Sequence, residues 1–177
     1  MLCLDHVNSS VQARVVIEFD DYIPVSVTCE STGSESSVYW RTKPNAYSLL
    51  EIALSSDTGE LRTVTLTSIE SGAVRVSDEP AGSSTERMVH GLPCMNLSAW
   101  SQSDVYADRF CDATLGITLL VAQDTCTLQI GAARLPRHLV DYDSVLFGFD
   151  EQNALCSIEI PLDEAVHRQT LLGCTQQ

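Results

Sequence analysis

Apolar and polar residues alternate along most of this chain, and that alternation sets the expected fold class. Val15, Ile17 and Phe19 fall on one side of an extended segment and Arg14, Glu18 and Asp20 on the other, which predicts a half-buried strand. After a turn at Asp20 and Asp21, a second alternation runs through Ile23, Val25, Val27 and Cys29. Pro24 sits on its opposite phase and has no N–H for a ladder, so this strand should start there or lie at a sheet edge. Residues 31–37, with Gly33 and four serines, read as a loop, and a short strand at 38–41 precedes the turn Lys43-Pro44-Asn45.

The clearest hairpin follows. Leu50, Ile52 and Leu54 alternate, residues 55–59 supply turn chemistry, and residues 61–66 are rich in β-branched side chains. A further strand is expected at 73–76, after which residues 77–84 break all periodicity and mark the best linker. Residues 117–122 form a nearly continuous apolar run, as expected of a strand covered on both faces. Cys126, Leu128 and Ile130 resume the alternation. Val145, Phe147 and Phe149 then lead into a turn at 150–153 and a return strand at 155–160.

This last hairpin can be laid on the earlier one. Leu50, Ile52 and Leu54 match Val145, Phe147 and Phe149, while Leu61, Val64 and Leu66 match Leu155, Ile158 and Ile160. Both return strands break phase at the same place, which predicts a shared bulge. The expected fold is therefore mainly β, with α+β as the alternative: two hairpin-rich antiparallel halves packed as a sandwich or barrel, with one or two short helices. The pattern reads as a single compact domain over 1–177, with pseudo-repeat halves 1–79 and 113–177 joined by 80–112. Residues 149–160 also resemble the hairpin of a small bacterial domain of unknown function. That resemblance implies a β hairpin and brings no catalytic residue.

Two helices are candidates. In the tail, Pro161 fits a first helical turn with Asp163 and Glu164, and Gly173 can end it; Leu162, Ala165 and Val166 would share the apolar face, with Leu171 and Leu172 extending it. Residues 97–113 place Asp104, Asp108 and Asp112 four apart, with Leu97, Trp100, Val105 and Phe110 as an irregular apolar side.

Composition narrows the function classes. The 177 residues carry 24 acids against 10 bases, a formal charge of −14, with residues 1–88 and 89–177 each at −7. Such a surplus opposes a phosphate backbone, so no nucleic-acid partner is expected. Met1 to Ser10 lacks the basic start and apolar stretch of a signal peptide, and no apolar run could span a bilayer. A cytoplasmic location without membrane contact is the expectation. Seven cysteines without a C-x-x-C pair suit reduced thiols buried as small hydrophobes.

No motif fixes a reaction. His90 and Cys94, four apart, are the weak catalytic candidates as a base and nucleophile, or as two zinc ligands; no second His/Cys pair completes a metal site. Asp141 and Asp143 fit turn chemistry better than a metal cage, and no metal or cofactor is expected. An enzyme is less expected than a binding protein. The leading expectation is a small acidic domain that covers a basic protein, in the manner of an immunity or antitoxin-type inhibitor. Asp20, Asp21, Asp57, Glu60, Asp104, Asp108, Asp112, Asp150 and Glu151 are the expected contact residues. The alternatives are a self-associating assembly module that forms a homo-oligomer, and a ligand binder or enzyme with a pocket between the halves.

Overall fold

A strand with one apolar face needs a second apolar surface to bury against, and each half of this chain provides that surface for the other. The structure, a computed structural model, describes residues 1–11, 14–29, 36–77, 87–100, 109–163 and 165–173. Among them the fold is mainly β, a sandwich-like pair of sheets with one helix and no closed barrel.

The chain opens with β1 (Leu4–Asn8), which stays outside the two main sheets. The first sheet is built on β2 (Val15–Glu18), β3 (Val25–Cys29), β4 (Ser37–Thr42), β5 (Leu49–Ser55) and β6 (Leu61–Ser68). Their spatial order is β4-β5-β6-β3-β2, with every neighbouring pair antiparallel. Three short strands follow, β7 (Val74–Val76), β8 (Met88–His90) and β9 (Leu92–Met95), and then β10 (Phe110–Ala113). The second sheet is built on β11 (Ile117–Val121), β12 (Thr125–Ile130), β13 (His138–Tyr142), β14 (Val145–Phe149) and β15 (Leu155–Pro161). Their order is β13-β14-β15-β12-β11, again antiparallel throughout.

The two sheets share registers as well as order. Val25 pairs with Leu66 and Val27 with Val64; Cys126 pairs with Ile160 and Leu128 with Ile158. Both hairpins also carry the shared bulge. Ala53 pairs with Thr63 but Leu54 with Leu61, leaving Arg62 extra; Gly148 pairs with Ser157 but Phe149 with Leu155, leaving Cys156 extra. A bulge of this kind keeps Leu61 and Leu155 on the apolar side although they are out of phase with Val64 and Ile158. The inward residues of both sheets, among them Val27, Ile52, Leu66, Leu119, Leu128, Phe147 and Ile158, are fully buried and belong to one continuous core.

Three of the four sheet edges are finished by short parallel strands. β10 lies parallel to β4, β8 parallel to β13, and β7 parallel to β11. β1 and β9 form an antiparallel ribbon that grips both hairpin turns: Cys3 bridges to Ala154 and Cys94 to Glu60. The Leu4 N–H bonds the Asn153 carbonyl and the Met95 N–H the Gly59 carbonyl, at 2.9 and 2.8 Å. Gly59 and Asn153 both have positive φ, 72° and 59°, and a Cβ at Gly59 would collide with the Met95 carbonyl.

Several expectations need correction. Phe110–Ala113 is strand β10 and not the end of a helix, because Asp112 sits opposite Arg41 and is held there by two hydrogen bonds; residues 101–108, with Asp104 and Asp108, lie outside the described residues. Pro161 closes β15 opposite Thr125, and the tail helix α1 begins at Ala165 (Ala165–Gly173). Its buried anchor is Leu171, while Ala165 and Val166 are exposed. Of the two readings of Pro24 the first holds: β3 starts immediately after it, while the edge position belongs to β2. The strand expected at 73–76 exists as β7 but joins the second sheet, after a 3-10 turn at Ser71–Ala73.

Candidate functional site

Pairing partners define two rows of outward-facing side chains. Across the first sheet the row reads Asp112, Arg41, Glu51, Thr65, Ser26, Glu18. The matching row on the second reads His90, Asp141, Leu146, Glu159, Thr127, Leu120, Arg75. The first row is polar throughout. The second is charged at its two ends, but its centre sets one carboxylate, Glu159, between Leu146 and the buried Thr127, with Leu120 beyond.

Glu159 lines a cavity of about 200 Å³ together with Leu120, Leu139 and Leu146, under a strap formed by Arg134, Leu135 and Pro136. The strap lies close because Gly148 has no side chain: a Cβ there would stand 2.9 Å from Pro136 Cβ and would overlap Ser157 Oγ. Thr127 is buried beneath it on this outer face, and Leu135 on the strap is 74% exposed. On the far side of the strap a more open depression of about 510 Å³ is bordered by Arg137, Asp150, Glu151 and Gln152. Burial pushes the Glu159 pKa above the ordinary carboxylate value. Arg134 is committed elsewhere, to Asp150 at 2.5 Å.

The catalytic candidates separate. Gly91, at φ 144°, turns the chain between β8 and β9, and a Cβ there would stand 2.7 Å from the Asn8 carbonyl oxygen. His90 therefore points away to Asp141, with Nδ1 2.9 Å from Oδ2, while Cys94 is buried with its thiol 3.8 Å from the Leu92 carbonyl. Burial, with Glu60 adding to it, pushes the Cys94 thiol up to about 11, away from the thiolate form that a nucleophile uses. Cys29 and Cys126 are each pushed to about 12, chiefly by burial. The six described cysteines are free thiols. His90 does border an open cleft of about 350 Å³ between the halves, with Ser9, Val11, Asp143 and Ser144. Asp141 is held on its other oxygen by the Ser144 N–H, and Asp143 accepts from the Val15 N–H at 2.8 Å.

Among the described residues, the expected acidic contacts lie at separate places on the fold. Asp20 and Asp21 are exposed at the β2–β3 turn, and Asp57 and Glu60 lie at the opposite end of the same sheet. Asp112 is exposed but bound bidentately by Arg41, whose guanidinium also lies 4.0 Å over the Phe110 ring. Glu60 is half-buried and accepts from Asn8 at 2.8 Å. Glu151 is exposed, but its neighbour Asp150 is only 4% exposed, so it is an internal tie rather than a surface contact. Burial alone would raise the Asp150 pKa; Arg134 and the N–H groups of Ala154 and Gln152 outweigh it and hold the carboxyl below its ordinary value.

Glu159 was not among the sequence candidates, although a signal existed. Leu120 and Leu146 place apolar residues on the outward phase of their strands, which marks the outer face of this sheet as covered. Among the described residues no group of three or more ligating side chains could hold a metal ion, and no helix is long and apolar enough to cross a membrane. Compared with known proteins, the chain matches no family model and is similar to no curated sequence.

Proposed function

We propose that this chain is a binding domain for a basic protein, and that one cationic side chain of the partner is received against Glu159. The observation that carries this reading is Glu159 itself: a half-buried carboxylate among leucines, with no ion pair or hydrogen bond to another described residue. Desolvating a carboxylate costs free energy, and a cation brought into the same cavity offsets part of that cost. The cavity, about 200 Å³, is smaller than the roughly 300–1,000 Å³ that encloses drug-sized ligands, and suits one side chain. The charge of −14 steers a basic surface toward the domain, and an immunity or antitoxin-type inhibitor is the form of the reading that uses both features.

The test uses a matched pair of probes, acetyl-arginine amide and its neutral citrulline analogue. The arginine compound should shift the amide resonances of Thr127, Leu146 and Glu159, the citrulline compound should not, and Glu159→Gln should abolish the response. Equal shifts with both compounds, or an unaltered response in the variant, would sink the reading.

We infer in addition that the two sheets descend from one duplicated unit. Shared strand order, shared registers and the paired bulges support this. So does the ribbon, in which β1 grips the second hairpin as β9 grips the first. On this reading the second unit opens at β9 rather than at residue 113, and the stretch containing β10 is an insertion.

A further inference from the structure

The shared plan of the two sheets exposes one position that no described residue fills. Each five-stranded sheet has two edges, and three of these four edges carry a short parallel strand: β10 on β4, β8 on β13 and β7 on β11. The fourth edge, β2, has no such neighbour among the described residues.

The β2 backbone is oriented to accept one. Val15 sends its N–H away from β3 to Asp143, so by alternation Ile17 and Phe19 turn their backbone groups outward too. The counterpart of Phe19 is Val121, whose carbonyl accepts the N–H of Ser77 as β7 leaves the sheet. A groove of about 540 Å³ at this end of the sheet is lined by Ile17, Glu18 and Phe19 together with Ile23 and Ser26 from the β3 side and His167 from the tail helix. His167 closes one end by stacking on Phe19 at 4.7 Å.

The filled edges show what such a strand carries. On β4 the guest residue Asp112 lies opposite Arg41, and on β13 the guest His90 lies opposite Asp141; each pair is bonded, at 2.8 and 2.9 Å. A charged outward residue on the host strand is thus met by a bonded polar partner on the guest, a carboxylate on Arg41 and an imidazole on Asp141. On β2 the host residue at this row is Glu18, which is exposed. On β11 the matching host is Leu120, and there the guest residue is Arg75, flanked by Val74 and Val76.

From this geometry we infer that the β2 edge receives an extended segment of a partner protein as a parallel strand, with a basic residue opposite Glu18 and apolar residues beside Ile17 and Phe19. Main-chain hydrogen bonds supply affinity and Glu18 supplies selection, as in other strand-addition sites. The inference shares with the proposed function only the basic character of the partner; its site and its residues are different.

The test uses two peptides, Ala-Val-Arg-Val-Ser, which copies the chain around Arg75, and Ala-Val-Glu-Val-Ser. The arginine peptide should slow hydrogen exchange at the Ile17 amide and bind on the order of tenfold more tightly than the glutamate peptide. Glu18→Lys should reverse that preference, which a merely unfolded variant could not do. Glu159→Gln should leave both results unchanged, so failure here and failure of the Glu159 site are separable. Equal affinity for both peptides, or no preference reversal in Glu18→Lys, would overturn the inference. An Ile17 amide protected in the free monomer would assign the edge to the chain itself. Protection that grows with protein concentration alone would assign it to a second copy. Either result excludes a partner strand.

Discussion

Two carboxylates show how environment, rather than residue type, decides what an acid does here. Glu159 is shifted above its ordinary pKa by burial, so the folded chain holds its proton more tightly than the unfolded chain. Its contribution is fully present below the ordinary carboxylate range and is lost as pH rises through the folded value. Asp150 is shifted down despite its burial, so its contribution is present above the ordinary range and is lost as pH falls through the folded value. The two substitutions should therefore act in opposite directions at neutral pH. Glu159→Gln should raise Tm, on the order of 2 °C, whereas Asp150→Asn should cost about 2 kcal/mol by leaving Arg134 and two turn N–H groups without their carboxylate. Both differences should shrink in acid. Urea titrations across the acid-to-neutral range check the signs, and two shifts in the same direction would contradict this account.

Among the elements, the strap over Glu159 depends on one missing side chain. Gly148→Ala should push Pro136 off the sheet, cost about 1–3 kcal/mol by overpacking, and weaken the arginine response although Glu159 is untouched. A variant with full stability and an unchanged response would show that the strap is not seated by Gly148. The equivalent position on the first sheet is Ala53, where the pairing with Thr63 already accommodates a methyl group. The hairpins and their bulges were legible in the sequence because apolar residues report which face of a strand is buried, and a skipped phase at Arg62 or Cys156 leaves a trace. Of the short edge strands, β7 was legible at 73–76, but β8 and β10 were not. β8 and β10 have only three and four residues, and pairing with β13 and β4, not their own alternation, makes them strands. Asp112 illustrates the difficulty, since its four-residue spacing from Asp108 imitates a helix while its actual partner, Arg41, is 71 residues away. Glu159 was hidden for a related reason: Leu120, Leu139 and Leu146, which make it unusual, meet it only across the sheet.

At the scale of the whole molecule, the edge strands cross between the halves in both directions. β7 follows the first sheet in sequence but extends the second, and β10 precedes the second but extends the first. The β1–β9 ribbon adds a third tie, and the inward faces share one core. A half expressed alone would lose the apolar surface that covers its sheet and at least one edge strand. Such a half should not fold stably, since isolated sheets with one unburied apolar face and open edges associate or collapse. Cutting the chain between residues 77 and 87 leaves every described strand and the helix whole. Fragments 1–86 and 87–177, produced together, should then assemble into a one-to-one complex with the amide spectrum of the intact chain, and each alone should aggregate or remain unfolded. Size-exclusion chromatography and amide NMR of the separate and mixed fragments provide the measurement. A folded monomeric half would mean that the crossing strands are accessories and that each sheet carries its own core; a mixture that fails to assemble would mean that the 78–86 connection itself directs the pairing. Assembly would instead trace the fold to mutual burial of two sheets built on one plan, with the different outer rows, polar on one sheet and leucine-lined around Glu159 on the other, as the place where their roles diverge.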